Sequence, residues 1–87
     1  MNYKPQVWRV LDALKLSPQT TLSLRELHNV MAPAARIAEL KRAGFEITVV
    51  YVSLRDLKGV LHHKVACYTL QGSRQLSLML ATNDEQY

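Results

Sequence analysis

The feature that most limits what this chain can become is the change of hydrophobic period at Gly44. Before it, Pro33 opens a run from Ala34 to Ala43 that is rich in strong helix formers. Pro33 suits a first helical position, where its missing N–H costs no hydrogen bond, and Gly44 suits the left-handed residue just past a helix end. After it, Phe45, Ile47, Val49 and Tyr51 alternate with Glu46, Thr48, Val50 and Val52. That is the two-residue period of a strand with one apolar face. A helix and a strand are joined through a single glycine, so a fold built from one class of element is excluded.

Upstream, two further helices are expected. Val7, Val10, Leu11 and Leu14 recur at i, i+3, i+4 and i+7, which predicts a first helix over 4–16, with Pro5 in its first turn and Trp8 beside the stripe. Ser17-Pro18 ends it, because a residue before proline avoids helical angles. Gln19 to Leu22 reads as a connector or one short strand. Ser23-Leu24-Arg25-Glu26 has the form of a capping box, serine accepting from the third helical amide and glutamate reaching back to the cap. This predicts a second helix from about Leu24 to Met31, with Leu24, Leu27, Val30 and Met31 turned inward. A turn of two or three residues then leads to the third helix, a helix-turn-helix arrangement.

Downstream, Arg55-Asp56-Leu57-Lys58-Gly59 supplies turn chemistry. A second strand follows from about Leu61 to Leu70, with Ala66, Tyr68 and Leu70 on one face and Val65, Cys67 and Thr69 on the other. Gln71-Gly72-Ser73 breaks it. Arg74 to Ala81 has room for a helical turn or two with Leu76, Met79 and Leu80 on one side. Residues 1–82 read as a single domain and 83–87 as a flexible tail.

Eighty-seven residues allow one domain, small enough that a partner subunit would add usefully to its core. The mix of 48% hydrophobic and 21% charged residues is that of an ordinary globular protein, which excludes disorder over most of the length. No apolar run approaches the roughly 18 residues of a membrane-spanning helix, and no secretory signal pattern is present. Cys67 is the single cysteine, so an intramolecular disulfide is excluded and a reducing, cytoplasmic setting is expected. The formal charge is +4; with Asp84 and Glu85 set aside, the preceding chain carries +6. A basic surplus is mild evidence for a polyanionic partner.

The run Ala35-Arg36-Ile37-Ala38-Glu39-Leu40-Lys41-Arg42-Ala43-Gly44-Phe45-Glu46-Ile47, followed about twenty residues later by Val65-Ala66-Cys67-Tyr68-Thr69-Leu70, resembles the small winged helix-turn-helix domains common in phages and prophages. Their third helix reads approximately (S/A)RI-x-x-L-(R/K)-(R/K)-A-G-(Y/F)-x-I, and their closing strand ends in Y-x-L. The resemblance spans roughly residues 5 to 70. It implies an α+β winged helix-turn-helix fold, a three-helix bundle followed by a β-hairpin wing, here with a short C-terminal helical segment added. It further implies sequence-specific binding of double-stranded DNA, usually in transcription regulation. The apolar segment Leu76 to Leu80 departs from the pattern.

Advancing about 100° per residue along the third helix, Ile37 and Leu40, with Pro33 beside them, face the other helices. Ala35, Ala38, Glu39 and Arg42 project outward, with Arg36 and Lys41 on the flanks. Small residues let a helix approach base edges, arginine pairs with guanine, glutamate accepts from the cytosine amine, and cations meet phosphates. A merely solvated helix face carries the same residue types. In a winged helix, Arg55, Lys58 and Lys64 of the hairpin extend the positive surface along the backbone. Arg25, read as lying near the start of the second helix, meets a phosphate with help from free helix amides, or pairs with a local acid.

Leu76, Met79 and Leu80 either pack on their own domain or form the seam of a homodimer, which would set two recognition helices about 34 Å apart on a palindromic site. The rival to DNA binding is a winged-helix protein-interaction module that binds a host or phage protein through the apolar tail and through Val50 and Val52. An enzyme is not expected: there is no glycine-rich phosphate loop, no nucleophile with a nearby base, and no paired carboxylates in an apolar setting. No cofactor is implied. His62, His63 and Cys67 do not suggest a metal, since neighbours on a strand face opposite ways and no CxxC or HxxxH pair completes a set.

Overall fold

The computed structural model describes residues 5–73. Helix α1 spans Gln6–Leu16 and buries Val10, Leu11, Ala13 and Leu14. Pro5 stands at its N-cap with an extended ψ of 149°, one position before the first turn where the sequence had suggested it. Past Ser17-Pro18 the chain is extended for two residues, β1 (Gln19–Thr20), and enters α2 (Thr21–Glu26). Helix α3 spans Pro33–Arg42, and Gly44 follows at φ 104°, the left-handed geometry expected of it. Strands β2 (Phe45–Arg55) and β3 (Leu61–Ser73) complete a three-stranded antiparallel sheet in the order β1-β3-β2. This is the α+β winged helix-turn-helix architecture.

The core joins all three helices to one face of the sheet. Val10, Leu24, Val30 and Leu40 are at most 1% exposed, and Ile37, Ile47 and Tyr68 close around them. Phe45, Val49, Ala66 and Leu70 pack at its edge, so the two expected strand faces do meet the helices. Tyr51, assigned to the same face, is 70% exposed. Beyond Val49 the inward phase of β2 shifts by one residue, so that Val52 and Leu54 are half-buried while Tyr51 and Ser53 are exposed, and the register with β3 shifts between Val52 and Leu54. Strand β3 also runs on through Gln71-Gly72-Ser73, pairing Gly72 with Glu46 and Ser73 with Phe45, rather than breaking there.

The second helix is where the expectation fails most. Its N-cap is Thr20, not Ser23, and it begins three residues earlier. The Thr20 hydroxyl accepts from the Ser23 amide at 3.0 Å, and the Thr20 amide donates to the Ser23 hydroxyl at 2.8 Å. Two hydroxyl residues three apart make the cap signature ambiguous, and strand pairing decides between them. Gln19 and Thr20 lie opposite Tyr68 and Cys67, which holds Thr20 extended as a cap must be. The buried Gln19 secures the join: its amide donates to the Ala13 carbonyl at 3.2 Å, and its Oε1 accepts from the Ser23 hydroxyl at 2.8 Å. Helix α2 ends at Glu26, and the link to α3, residues 27–32, is twice the expected length. Of the four residues assigned to the inner side, Leu24 and Val30 are buried, but Leu27 and Met31 are 67% and 76% exposed, because they lie beyond the helix that was to turn them inward. Leu76, Met79, Leu80 and the tail at 83–87 lie outside the described residues.

Candidate nucleic-acid interface

Helix α3 has two unlike sides. Pro33, Ile37 and Leu40 are buried at i, i+4 and i+7. Ala34, Ala35, Lys41 and Arg42 are exposed, and Arg36, Ala38 and Glu39 are half-buried. The outward surface is short-chained at its N-terminal end and cationic at its C-terminal end. Lys41 and Arg42 also stand in the last turn, where the helix dipole favours positive charge. Arg36 and Glu39, one turn apart, form an ion pair at 2.7 Å. Arg36 Nε is shielded and makes no hydrogen bond within the described residues. Of the three cations of α3, Arg36 is thus held along the helix while Lys41 and Arg42 are exposed.

The hairpin tip is built around Asp56. Its Oδ1 accepts from the amides of Lys58 and Val60, both at 2.9 Å, and its Oδ2 meets His62 Nε2 at 2.9 Å. The His62 hydrogen bond, followed by the Val60 amide, holds the Asp56 carboxyl below its ordinary value of 3.8. Arg55 donates to the Gly59 carbonyl at 2.8 Å, and Gly59 takes φ 87°. Just inside the hairpin turn, β3 carries an extra residue opposite Val52–Leu54, and Lys64 there adopts φ 55°. Ser53 Oγ and His63 Nδ1 lie 3.0 Å apart beside it. The two histidines therefore have separate partners, one in the turn and one on β2.

Two expected placements change. Arg25 is exposed but lies in the last turn of α2, not near its start, so the free helix amides invoked for it are at the other end. The hairpin tip rests on α2: the Leu57 amide donates to Glu26 Oε2 at 3.1 Å. Strand β2 carries the chain from the Gly44 end of α3 to Arg55 over roughly 33 Å. Arg42 ends α3 just before this strand and Arg55 ends the strand at the hairpin turn, so the two cations belong to different ends of the connection. The sequence reading missed Glu26 as the residue that seats the hairpin, and no local pattern announces a contact 31 residues away. The role of Asp56 was legible in principle, since aspartate binds amides two residues on in turns of this kind.

No curated protein and no solved structure matches the chain. A family described as the winged helix-turn-helix domain matches residues 5–73. That span runs from the cap of α1 to the end of β3 and so includes every element from which the two-sided helix and the hairpin are built; the chain belongs to the winged helix-turn-helix domain family.

Proposed function

We propose that this domain binds double-stranded DNA sequence-specifically as a transcription regulator of the phage or prophage kind, a binding protein rather than an enzyme. The observation that carries the reading is the division of α3, whose outer side offers Ala34, Ala35, Lys41 and Arg42 to solvent while Pro33, Ile37 and Leu40 fasten it to the core. Ala35 and Ala38 admit the helix to the major groove, and Glu39 and Arg42 read base edges there. Arg36 and Lys41 flank them, and Arg55, Lys58 and Lys64 meet backbone phosphates along the hairpin. Arg25 adds a phosphate contact as a plain surface cation.

The test is fluorescence anisotropy with mixed-sequence duplex at increasing salt. Each phosphate neutralised contributes about 0.9 to the slope of log affinity against log salt, so four to six contacts give a slope of roughly −4 to −5. Arg36→Ala with Arg42→Ala should leave the melting curve in place, lower the slope by roughly 1 for the phosphate contact of Arg36, and weaken affinity further through loss of the base contact of Arg42. Unchanged affinity in the folded double variant removes α3 from the interface. A second reading, a module that binds a host or phage protein, is favoured by one feature: Leu22, Leu27, Leu54 and Leu57 line a groove of about 150 Å³ between α2 and the hairpin, and Val50 of β2 is 58% exposed. Absence of DNA binding at low salt would favour it.

A further inference from the structure

The link from α2 to α3 is fixed by few groups of its own. Val30 is its one buried apolar side chain, and the Val30 amide donates to the Leu24 carbonyl at 2.9 Å. Asn29 takes φ 55° and Met31 is largely exposed. Ala32, the N-cap of α3, supplies no side-chain cap. Where α3 begins, and at what angle it leaves, therefore depends on what holds the residues just before Ala32.

Two side chains from α1 do so. Gln6 and Arg9 are one turn apart and reach the same loop. Gln6 Oε1 accepts from the Met31 amide at 3.1 Å, and Arg9 Nη2 lies 3.5 Å from the Asn29 carbonyl. With the Val30–Leu24 bond between them, three consecutive residues are tied at their backbone, and the last of the three abuts the cap of α3. Neither side chain belongs to the outward surface of α3 or to the hairpin.

We infer that Gln6 and Arg9 are positioning residues for α3: by pinning Asn29 and Met31 they set how the helix meets the base edges, and hence how well one duplex sequence is told from another. This rests on the DNA-binding reading. Phosphate contacts tolerate a tilted helix because they carry no sequence information, whereas base contacts do not. Loss of the pins should therefore erode discrimination more than affinity for mixed DNA.

The experiment uses the full chain with Gln6→Met, which keeps side-chain length and helix propensity but has no oxygen acceptor, and Gln6→Glu, which retains one. Arg9→Met serves as an independent second variant that preserves the packed stem. One readout is hydrogen exchange at the Met31 amide. The other is the ratio of affinities for a duplex selected from a random pool by the wild-type protein and for the unselected pool, a ratio that cancels the charge added by glutamate. In Gln6→Met, exchange should quicken about three- to tenfold and the ratio should fall by about the same factor, with Tm lowered by several degrees at most and the domain folded at the assay temperature. Gln6→Glu should restore both, and Arg9→Met should lower the ratio alone or with exchange at neighbouring amides. Unchanged Met31 exchange in Gln6→Met overturns the pin itself. Faster exchange with an unchanged ratio overturns its role in recognition. A wild-type protein that selects no duplex overturns the inference together with the DNA reading, and that outcome is distinguished by needing no variant.

Discussion

Replacing Thr20 by valine should destabilise the domain by about 1 kcal/mol, whereas replacing Glu26 by glutamine should change stability by less than about 0.5 kcal/mol. Valine keeps the branched Cβ and suits the extended position opposite Cys67 in β1, so the substitution removes little except the oxygen that accepts the Ser23 amide at 3.0 Å. Removal of an N-cap hydroxyl costs about 0.5–2 kcal/mol, most often near 1. In a domain of this size 1 kcal/mol lowers Tm by about 4–8 °C. Circular dichroism melts at a fixed pH near neutrality, with urea titrations beside them, resolve such a shift. The comparison is sharp because the competing cap signature, Ser23 with Glu26, predicts the opposite ranking. In the fold observed, Glu26 turns away from the cap to the Leu57 amide, and an amide oxygen in its place can still accept that bond. The double variant Thr20→Val, Ser23→Ala should lose less than the sum of the two single losses, since each side chain completes the other's half of one box. A Thr20→Val protein melting within 1 °C of wild type, beside a Glu26→Gln protein several degrees lower, would refute the assignment of the cap and with it the start of α2.

Further outcomes follow from the core and the hairpin. Leu40→Ala, at a position 1% exposed where α3 meets the core, should cost about 2–5 kcal/mol and leave a large unfolded fraction at 37 °C by circular dichroism; a stable variant would mean that α3 is not anchored there. Gly59→Ala should destabilise the hairpin tip by about 1 kcal/mol, because φ 87° strains any side chain even though nothing lies within 4 Å to obstruct a Cβ. Asp56 is the group whose hydrogen bonds lower its folded-state pKa, so its contribution is complete above 3.8 and is lost as pH falls through the lowered value. In an NMR titration the Lys58 and Val60 amide shifts should move together with a midpoint below 3.8, and a midpoint at or above that value would show that the turn is not organised around the carboxylate.

The parts of the fold legible in the sequence are those where one local signal has no competitor. Pro33 and Gly44 bracket α3 without ambiguity, and the alternation after Gly44 assigns Ile47 and Val49 to the core side. The start of α2 was illegible for a definite reason: Thr20 and Ser23 offer overlapping cap patterns, and the choice depends on pairing with Tyr68 and Cys67, nearly fifty residues away. The exposure of Tyr51 had a similar source, because the apolar alternation gives no sign that the inward phase of β2 passes to Val52 and Leu54 where the register with β3 shifts.

The candidate interface divides along the same line. Helical geometry alone sets Arg42 opposite Ile37 and Leu40 and Lys41 on a flank, and in the structure Ile37 and Leu40 are buried while Lys41 and Arg42 are exposed. What the geometry of one helix does not contain is its setting. Arg36 is drawn to Glu39 rather than left free, Arg25 falls in a last turn instead of a first, and the hairpin tip is carried to α2 by a carboxylate whose partner is a backbone amide. Each of these depends on where an element begins or on what lies across from it. For recognition the consequence is concrete. A cation's presence on the outer surface follows from residue type and period, but its aim follows from the frame. In this domain the frame of α3 is its buried Pro33, Ile37 and Leu40 on one side and the link tied to Gln6 and Arg9 on the other. Changes in that frame should alter which sequence is preferred without altering the net charge that draws the domain to DNA at all.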